Sequence, residues 1–209
     1  MRTKLLFLSC ALMALSAFTS CSRIERFKTK NRMPIQVFPF YNYKPLSVNA
    51  GIYSEELLNP SLEKMQKFAS VIRQKVDSVP VEVLYILSTR LFDLGDKKEG
   101  AYWFHCANFR ASVLASAFAS NANNAAYDKL SALHDFDRAE GEHIFKFLSS
   151  DRDMWIAVAN RCKRDCMGMR LPPSLYRDFK RNECFEIKQA VLAAADGMDV
   201  LISHVRSNY

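Results

Sequence analysis

The chain has 209 residues, of which 49% are hydrophobic and 12% aromatic, and it carries a formal net charge of +7. This hydrophobic content excludes disorder as the default state and is enough for one sizeable globular domain. Of the +7, two charges belong to Arg2 and Lys4 and a net four to residues 21–32, which leaves about +1 for residues 33–209. A nearly neutral body lacks the basic stripe typical of nucleic-acid binding. We therefore expect no nucleic-acid partner.

The first 21 residues have the three-part layout of a secretory signal. A short basic start precedes an uncharged apolar run over residues 5–18, which is too short for a comfortable transmembrane helix. The stretch Phe18-Thr19-Ser20-Cys21 resembles the lipobox of bacterial lipoproteins, with Phe18 in place of the usual leucine. The resemblance implies a signal peptide over residues 1–20, acylation of Cys21, and an extracytoplasmic, membrane-anchored location in the bacterial cell envelope. A cleaved signal with an unmodified cysteine is the alternative.

Two short segments separate the predicted anchor from the body. Residues 21–32 contain five basic residues and one acidic residue, and we expect them to form a basic tether beside an anionic bilayer. A lipid chain and a polybasic stretch together are a sufficient pair of membrane anchors. Residues 33–59 are rich in proline, asparagine and aromatic residues without a helical period. This composition predicts an extended aromatic arm along the outside of the body.

Residues 60–209 carry helical patterns, and no segment of useful length has the period of a strand. Capping residues and helix breakers set the expected boundaries. In chain order, the predicted helices are one after Asn59, one from Pro80 to Gly95, one from Lys97 to Phe118 behind an Asp96–Glu99 capping box, two short ones over 127–134 and 139–148, one between Asp151 and Gly168, and one from Glu183 to Val205. The helix Lys97–Phe118 is apolar on nearly every side and should be central. The sequence thus predicts an all-α fold, a compact multi-helix domain over residues 60–209.

Residues 81–112 have the spacing of a helical hairpin with small residues at its interface. The pattern Leu84-x2-Leu87-Ser88-x2-Leu91, Gly95-Asp96 and Gly100-x3-Phe104-x2-Ala107 resembles the core spacing of one tetratricopeptide-type repeat. Leucines replace the tryptophan and tyrosine of that repeat, Ser112 replaces its closing proline, and there is no second copy. Because such arrays need about three units to be stable, the resemblance implies a shared way of packing a hairpin.

Trp103, Phe104 and Arg110 are candidates for a binding or structural role. They lie in a stretch, residues 101–110, that is similar to a recurring element of uncharacterised bacterial helical proteins; this resemblance implies no function. A buried Arg110 would demand a carboxylate partner. The alternative is a side chain that snorkels to the surface or ties two helices together.

Four cysteines fall in the body, Cys106, Cys162, Cys166 and Cys184. An even set outside the cytoplasm predicts a disulfide, and since Cys162 and Cys166 are one helical turn apart, either could pair with Cys184. Cys106 lies in an apolar helix, so we expect a small buried hydrophobe. A zinc site is disfavoured, because C-x3-C-x17-C lacks a fourth ligand and a tighter spacing within the first pair.

The most suggestive polar cluster runs from His134 to His143. Glu140 and His143 have the Glu-x-x-His spacing of metal-carboxylate bundles, but such sites need two of these motifs and two further glutamates, and the chain has one. We therefore expect no catalytic residues, no metal site and no cofactor.

The sequence as a whole favours a lipid-anchored, non-enzymatic module that binds an envelope protein or peptide; an immunity or protective lipoprotein would fit this description. The alternative is a metal- or carboxylate-dependent hydrolase of envelope polymers, centred on Glu140 and His143. A structural role with the aromatic arm as the contact is a third hypothesis.

Overall fold

A computed structural model of the chain describes residues 33–35, 46–48, 50–118, 124–170 and 184–209. The predicted signal peptide, lipobox and basic tether lie outside these ranges. The described elements are β1 (Met33–Ile35), β2 (Leu46–Val48), a 3-10 turn (Gly51–Tyr53), α1 (Ser54–Leu57), α2 (Leu62–Gln74), a second 3-10 turn (Val76–Ser78), α3 (Val81–Asp93), α4 (Lys97–Phe118), α5 (Asn124–Leu148), α6 (Arg152–Met167) and α7 (Cys184–Asn208). The prediction of an all-α domain is confirmed.

The predicted extended arm is only partly extended. β1 and β2 pair antiparallel, with Met33 opposite Val48, but residues 51–57 form helical turns, so the prediction of an extended segment up to residue 59 is wrong there. Two acidic residues in the first turn of α1 favour the helix through its dipole, and Leu57 is fully buried in the core. The remaining residues of the arm lie outside the described ranges.

Helix α4 is the centre of the domain, as its apolar pattern predicts. It packs against α3, α5, α6 and α7, and buried side chains lie on several of its sides, among them Trp103, Phe104, Phe109 and Val113. None of the described helices combines the length and the apolar character needed to cross a membrane.

The α3–α4 hairpin is as closely packed as its small residues predict. Gly95, with a φ of 105°, makes the turn between the helices. The Ser88 hydroxyl donates to the Gly100 carbonyl oxygen at 2.8 Å. A Cβ atom on Gly100 would lie 2.8 Å from the backbone nitrogen of Phe92, so the two helix backbones approach closely because Gly100 has no side chain.

Only half of the predicted capping box at the start of α4 is present. The Glu99 amide donates to Asp96 Oδ1 at 3.3 Å, but the Glu99 carboxylate pairs with Arg73 and Arg161. The Glu99 side chain therefore forms ion pairs with other helices and not the hydrogen bond to the Asp96 amide that a complete capping box would have.

Helix α6 begins and ends where its capping residues predict. Asp151 accepts a hydrogen bond from the Met154 amide at 2.9 Å, and Gly168 ends the helix. Helix α5, in contrast, is one continuous helix where two short ones were predicted. Its buried face continues past the acidic residues, since Leu133, Phe136, Ile144 and Leu148 follow one another at helical spacing, and Asp137 and Glu140, which lie on the same side, are half-buried.

Candidate functional site

A pocket of about 260 Å³ opens between α3, α4 and α5. Two helical stripes face each other across it, each spaced i, i+3, i+4, i+7. The pocket is lined by Tyr85 from α3, by Asn108, Ala111, Ser112 and Ala115 from α4, and by Leu130, Leu133, His134 and Asp137 from α5. Because the α4 stripe is made mainly of short side chains, it leaves the space between the helices unfilled.

A chain of hydrogen bonds crosses the pocket from α3 to α5. The Tyr85 hydroxyl donates to Asn108 Oδ1, and Asn108 Nδ2 donates to Asp137 Oδ1 at 2.7 Å. Burial, followed by the negative charge of Asp137, raises the pKa of Tyr85 well above its usual value. The tyrosine is therefore a permanent donor, which fixes the Asn108 amide with its NH2 group toward the carboxylate.

The pocket presents a carboxylate without an ion-pair partner among the described residues. Asp137 is half-buried, and no ion pair to it is found in the part of the chain that the structure describes. His134 stands exposed one turn earlier on α5. Apolar walls with a few converging polar groups are the usual composition of a ligand pocket. The arrangement suits a ligand group that is cationic or rich in hydrogen-bond donors.

Trp103 and Phe104 serve the core, not this pocket. Their side chains are 1% and 0% exposed. The Phe104 ring meets Tyr85 edge-on at 5.8 Å and Phe145 at 5.7 Å between ring centroids. Of the two roles considered for these residues, the structure supports the structural one.

A polar surface lies on the other side of α4, around Glu99. Its carboxylate pairs with both Arg73 and Arg161. The Arg161 guanidinium stacks over the Tyr102 ring at 3.8 Å, and Arg73 lies 5.5 Å from the centroid of the Trp103 ring. Because the arginines are paired and stacked with groups of the same chain, this surface ties α2, α4 and α6 together and has less to offer a ligand than Asp137 does.

Arg110 is fully buried, so the expectation of a snorkelling side chain is wrong. The alternative to snorkelling is that Arg110 joins two helices. Its guanidinium does join α4 to other parts of the fold, but these are neighbouring turns, and the contacts are to main-chain carbonyl groups. The acceptors are the carbonyl oxygens of Val76, Asp77, Val79 and Arg170. No carboxylate of the described residues is within ion-pair distance of it, and its Nε atom has no hydrogen-bond partner among them.

Cys106 is buried as predicted, but it does not lie alone. It meets Cys162 and Cys166 of α6, so that the three Sγ atoms lie within 4.8 Å of one another. All three are free thiols. The side chain of Cys184 lies outside the described residues, so its disulfide with Cys162 or Cys166 stays a prediction.

The three thiols differ in acidity. Burial raises the pKa of Cys106, and hydrogen bonding to its cysteine neighbours raises the pKa of Cys162. Hydrogen bonds from Cys106 and Cys162, helped by the positive charge of Arg110, lower the pKa of Cys166 to about 5. One sulfur of the cluster therefore carries the negative charge near neutral pH.

Glu140 and His143 are not gathered into a ligand set by the described residues. Both lie on α5, where Glu140 is half-buried and His143 is exposed. The three cysteines are the one group of three or more potential metal ligands found among the residues that the structure describes. The hydrolase hypothesis stays a prediction without added support.

Comparisons with protein-family models, with curated proteins and with solved structures returned no match.

Sequence reasoning missed the pocket and the thiol cluster, although each has a signal. The run of short side chains at Ala111, Ser112 and Ala115 marks one face of α4 that cannot fill its contact with α5. Cys162 and Cys166 share one face of α6, and the helix predicted to be central, which carries Cys106, is the partner that such a face would be expected to meet.

Proposed function

We propose that the protein is a lipid-anchored binding module of the bacterial cell envelope, and that the pocket between α4 and α5 receives a basic side chain of a protein or peptide partner. The single observation that carries this proposal is the half-buried Asp137 carboxylate in the lining of the pocket, without an ion-pair partner among the described residues. A carboxylate in such a setting attracts a cation more strongly than one in bulk water does.

The size and the lining of the pocket support a side chain as its occupant. A space of about 260 Å³ is at or below the lower end of pockets that hold drug-sized ligands, roughly 300–1,000 Å³. It accommodates the aliphatic stem of a lysine or arginine along Ala111, Ala115 and Leu133, with the charged end beside Asp137. A projecting basic residue that is anchored in a pocket is the kind of contact that dominates binding energy at protein interfaces.

The binding half of the proposal is tested with peptides. The array holds five versions of one peptide library, which are random at all positions but one; that position is fixed as Lys, Arg, Gln, Glu or Leu. The full-length protein in detergent is the probe. We expect retention to favour Lys and Arg, and to fall at least tenfold in Asp137→Asn, which keeps the shape of the carboxylate and removes its charge.

Two tryptophan variants separate pocket binding from general adsorption. Ser112 is exposed at the pocket, so Ser112→Trp should block it without entering the core. Ser203 is equally exposed on α7 and away from the pocket, so Ser203→Trp is the matched control. Equal retention by both variants, or no preference among the five residues in the wild type, contradicts the proposal.

The anchor is tested separately. Metabolic labelling with an alkyne fatty acid should mark the wild-type protein and leave Cys21→Ser unlabelled, and the variant should leave the membrane fraction, since two anchoring signals are needed for stable binding. Label on the Cys21→Ser protein would refute the lipobox interpretation while leaving the pocket proposal intact.

A further inference from the structure

The three-thiol cluster of Cys106, Cys162 and Cys166 has the dimensions of a metal site. The Sγ atoms of Cys162 and Cys166 are 3.9 Å apart, and all three sulfurs lie within 4.8 Å of one another. Three sulfurs placed about 2.3 Å from a common ion, the usual metal–thiolate distance, are roughly 3.8–4.0 Å from each other. The cluster therefore needs little rearrangement to hold one ion.

The surroundings of the cluster point to an anionic occupant of this part of the core. Arg110 lies one helical turn after Cys106 on α4, is fully buried, and has a positive charge that acts on Cys166. Its described partners are neutral carbonyl groups, and its Nε has none among the described residues. A buried cation without an anion nearby is costly; the charges of Cys166 and Asp77 act on Arg110, and a metal–thiolate group with a net charge of −1 would keep the negative charge that the Cys166 thiolate supplies.

We propose that Cys106, Cys162 and Cys166 bind a single thiophilic d10 cation, and that the ion is Cu(I). Among the described residues, only sulfur atoms are gathered at this place, and sulfur ligands select soft ions. Because no fourth donor among the described residues joins the three sulfurs, the geometry suits a three-coordinate ion better than zinc, which prefers four tetrahedral ligands.

The charges balance for this ion. Cu(I) with two thiolates and one neutral thiol carries a net charge of −1, and Arg110 brings the buried group to zero. Starting from the Cys166 thiolate and two thiols, binding forms three copper–sulfur bonds and releases one proton to solvent, with no change in the oxidation state of sulfur or copper. The proposal is independent of the pocket and of any peptide partner.

The test is an anaerobic competition between the reduced full-length protein and the Cu(I) chelator bathocuproine disulfonate, followed by the absorbance of the chelator complex. We expect the wild type to withdraw one Cu(I) per chain. Cys162→Ser and Cys166→Ser should each weaken binding at least about a hundredfold, since even the loss of an outer-shell partner costs 10–100-fold. Cys184→Ser is the matched control and should bind as the wild type does.

X-ray absorption on the copper-loaded wild type keeps the proposal testable if a serine variant does not fold. Three sulfur neighbours at about 2.3 Å support it. Nitrogen or oxygen neighbours, Cu(I) retained equally by Cys162→Ser, or exclusive binding of Zn(II) by the reduced protein would each overturn it. Mass spectrometry of the protein as isolated is a further test. A disulfide that involves any of the three cysteines would also overturn the proposal.

Discussion

The close contact between α3 and α4 at Gly100 gives the sharpest stability prediction. Replacing Gly100 by alanine places a Cβ atom 2.8 Å from the Phe92 nitrogen, 2.9 Å from the Phe92 Cβ and 2.9 Å from the Ser88 carbonyl oxygen. Two of these three atoms belong to the backbone of α3 and cannot rotate away. Since ordinary contacts to a Cβ begin near 3.4 Å, the two helices must separate by about half an ångström.

Three contributions set the size of the effect. Alanine gains roughly 0.8–1 kcal/mol over glycine from helix propensity. The overlap costs roughly 1–3 kcal/mol, and separation of the helices also weakens the 2.8 Å hydrogen bond from Ser88 to the Gly100 carbonyl, which contributes about 1 kcal/mol. With the overlap near the upper end of its range, because backbone atoms are involved, Gly100→Ala should lower the free energy of unfolding by about 2–3 kcal/mol.

Urea denaturation followed by circular dichroism measures this change, with the free energy extrapolated linearly to water. The matched control is Gly197→Ala in α7, where a Cβ would meet no atom within 4 Å. This variant gains the propensity term alone, so the free energy of unfolding should rise by roughly 0.8–1 kcal/mol. If Gly100→Ala is as stable as the wild type or more so, the close approach of α3 and α4 at Gly100 does not exist and the reasoning is refuted.

Three other substitutions test the core, a cap and the buried cation, each by urea denaturation. Phe104→Ala, at a fully buried position, should cost about 3–5 kcal/mol; a cost under 1 kcal/mol would mean that α4 is not central. Asp151→Ala removes the 2.9 Å cap of α6 and should cost about 1 kcal/mol, more than Ser61→Ala, whose contact with the Lys64 amide is 3.4 Å. Arg110→Lys should cost at least 2 kcal/mol or so, since one ammonium group cannot reproduce the planar set of donors; wild-type stability of the lysine variant would contradict the carbonyl contacts.

The fold was largely predictable because its determinants are local. Asp151 and Gly168 sit at the ends of α6 where capping chemistry places them, and the apolar character of α4 predicts its central position. Two of the failures concern helix continuity. Residues 51–57 are helical because Leu57 reaches the core, and α5 continues through residues 135–139 because its buried face does not stop. Both are decided by tertiary packing, which a local pattern does not report.

The candidate sites were much less predictable, because each joins residues that are far apart in the chain. Asp137 is part of a candidate site because it is hydrogen-bonded to Asn108, which in turn contacts Tyr85, and these two residues lie on other helices. The local sequence around Asp137 predicts only a solvated acidic turn. Cys106 meets Cys162 only once α4 and α6 have packed. The predicted pairing of Cys162 or Cys166 with Cys184 relied on sequence proximity, and sequence proximity says nothing about a cysteine that arrives from another helix.

The burial of Arg110 has a consequence for how the domain folds and unfolds. The guanidinium collects carbonyl groups from residues 76–79 and from Arg170, so segments that are almost a hundred residues apart meet at one side chain. A partly folded state that has docked only one of these segments would hold a desolvated cation with half of its acceptors missing. Such a state should be sparsely populated during both folding and unfolding. We therefore expect unfolding to be a single cooperative transition in which the α2–α3 turn and the end of α6 are lost together.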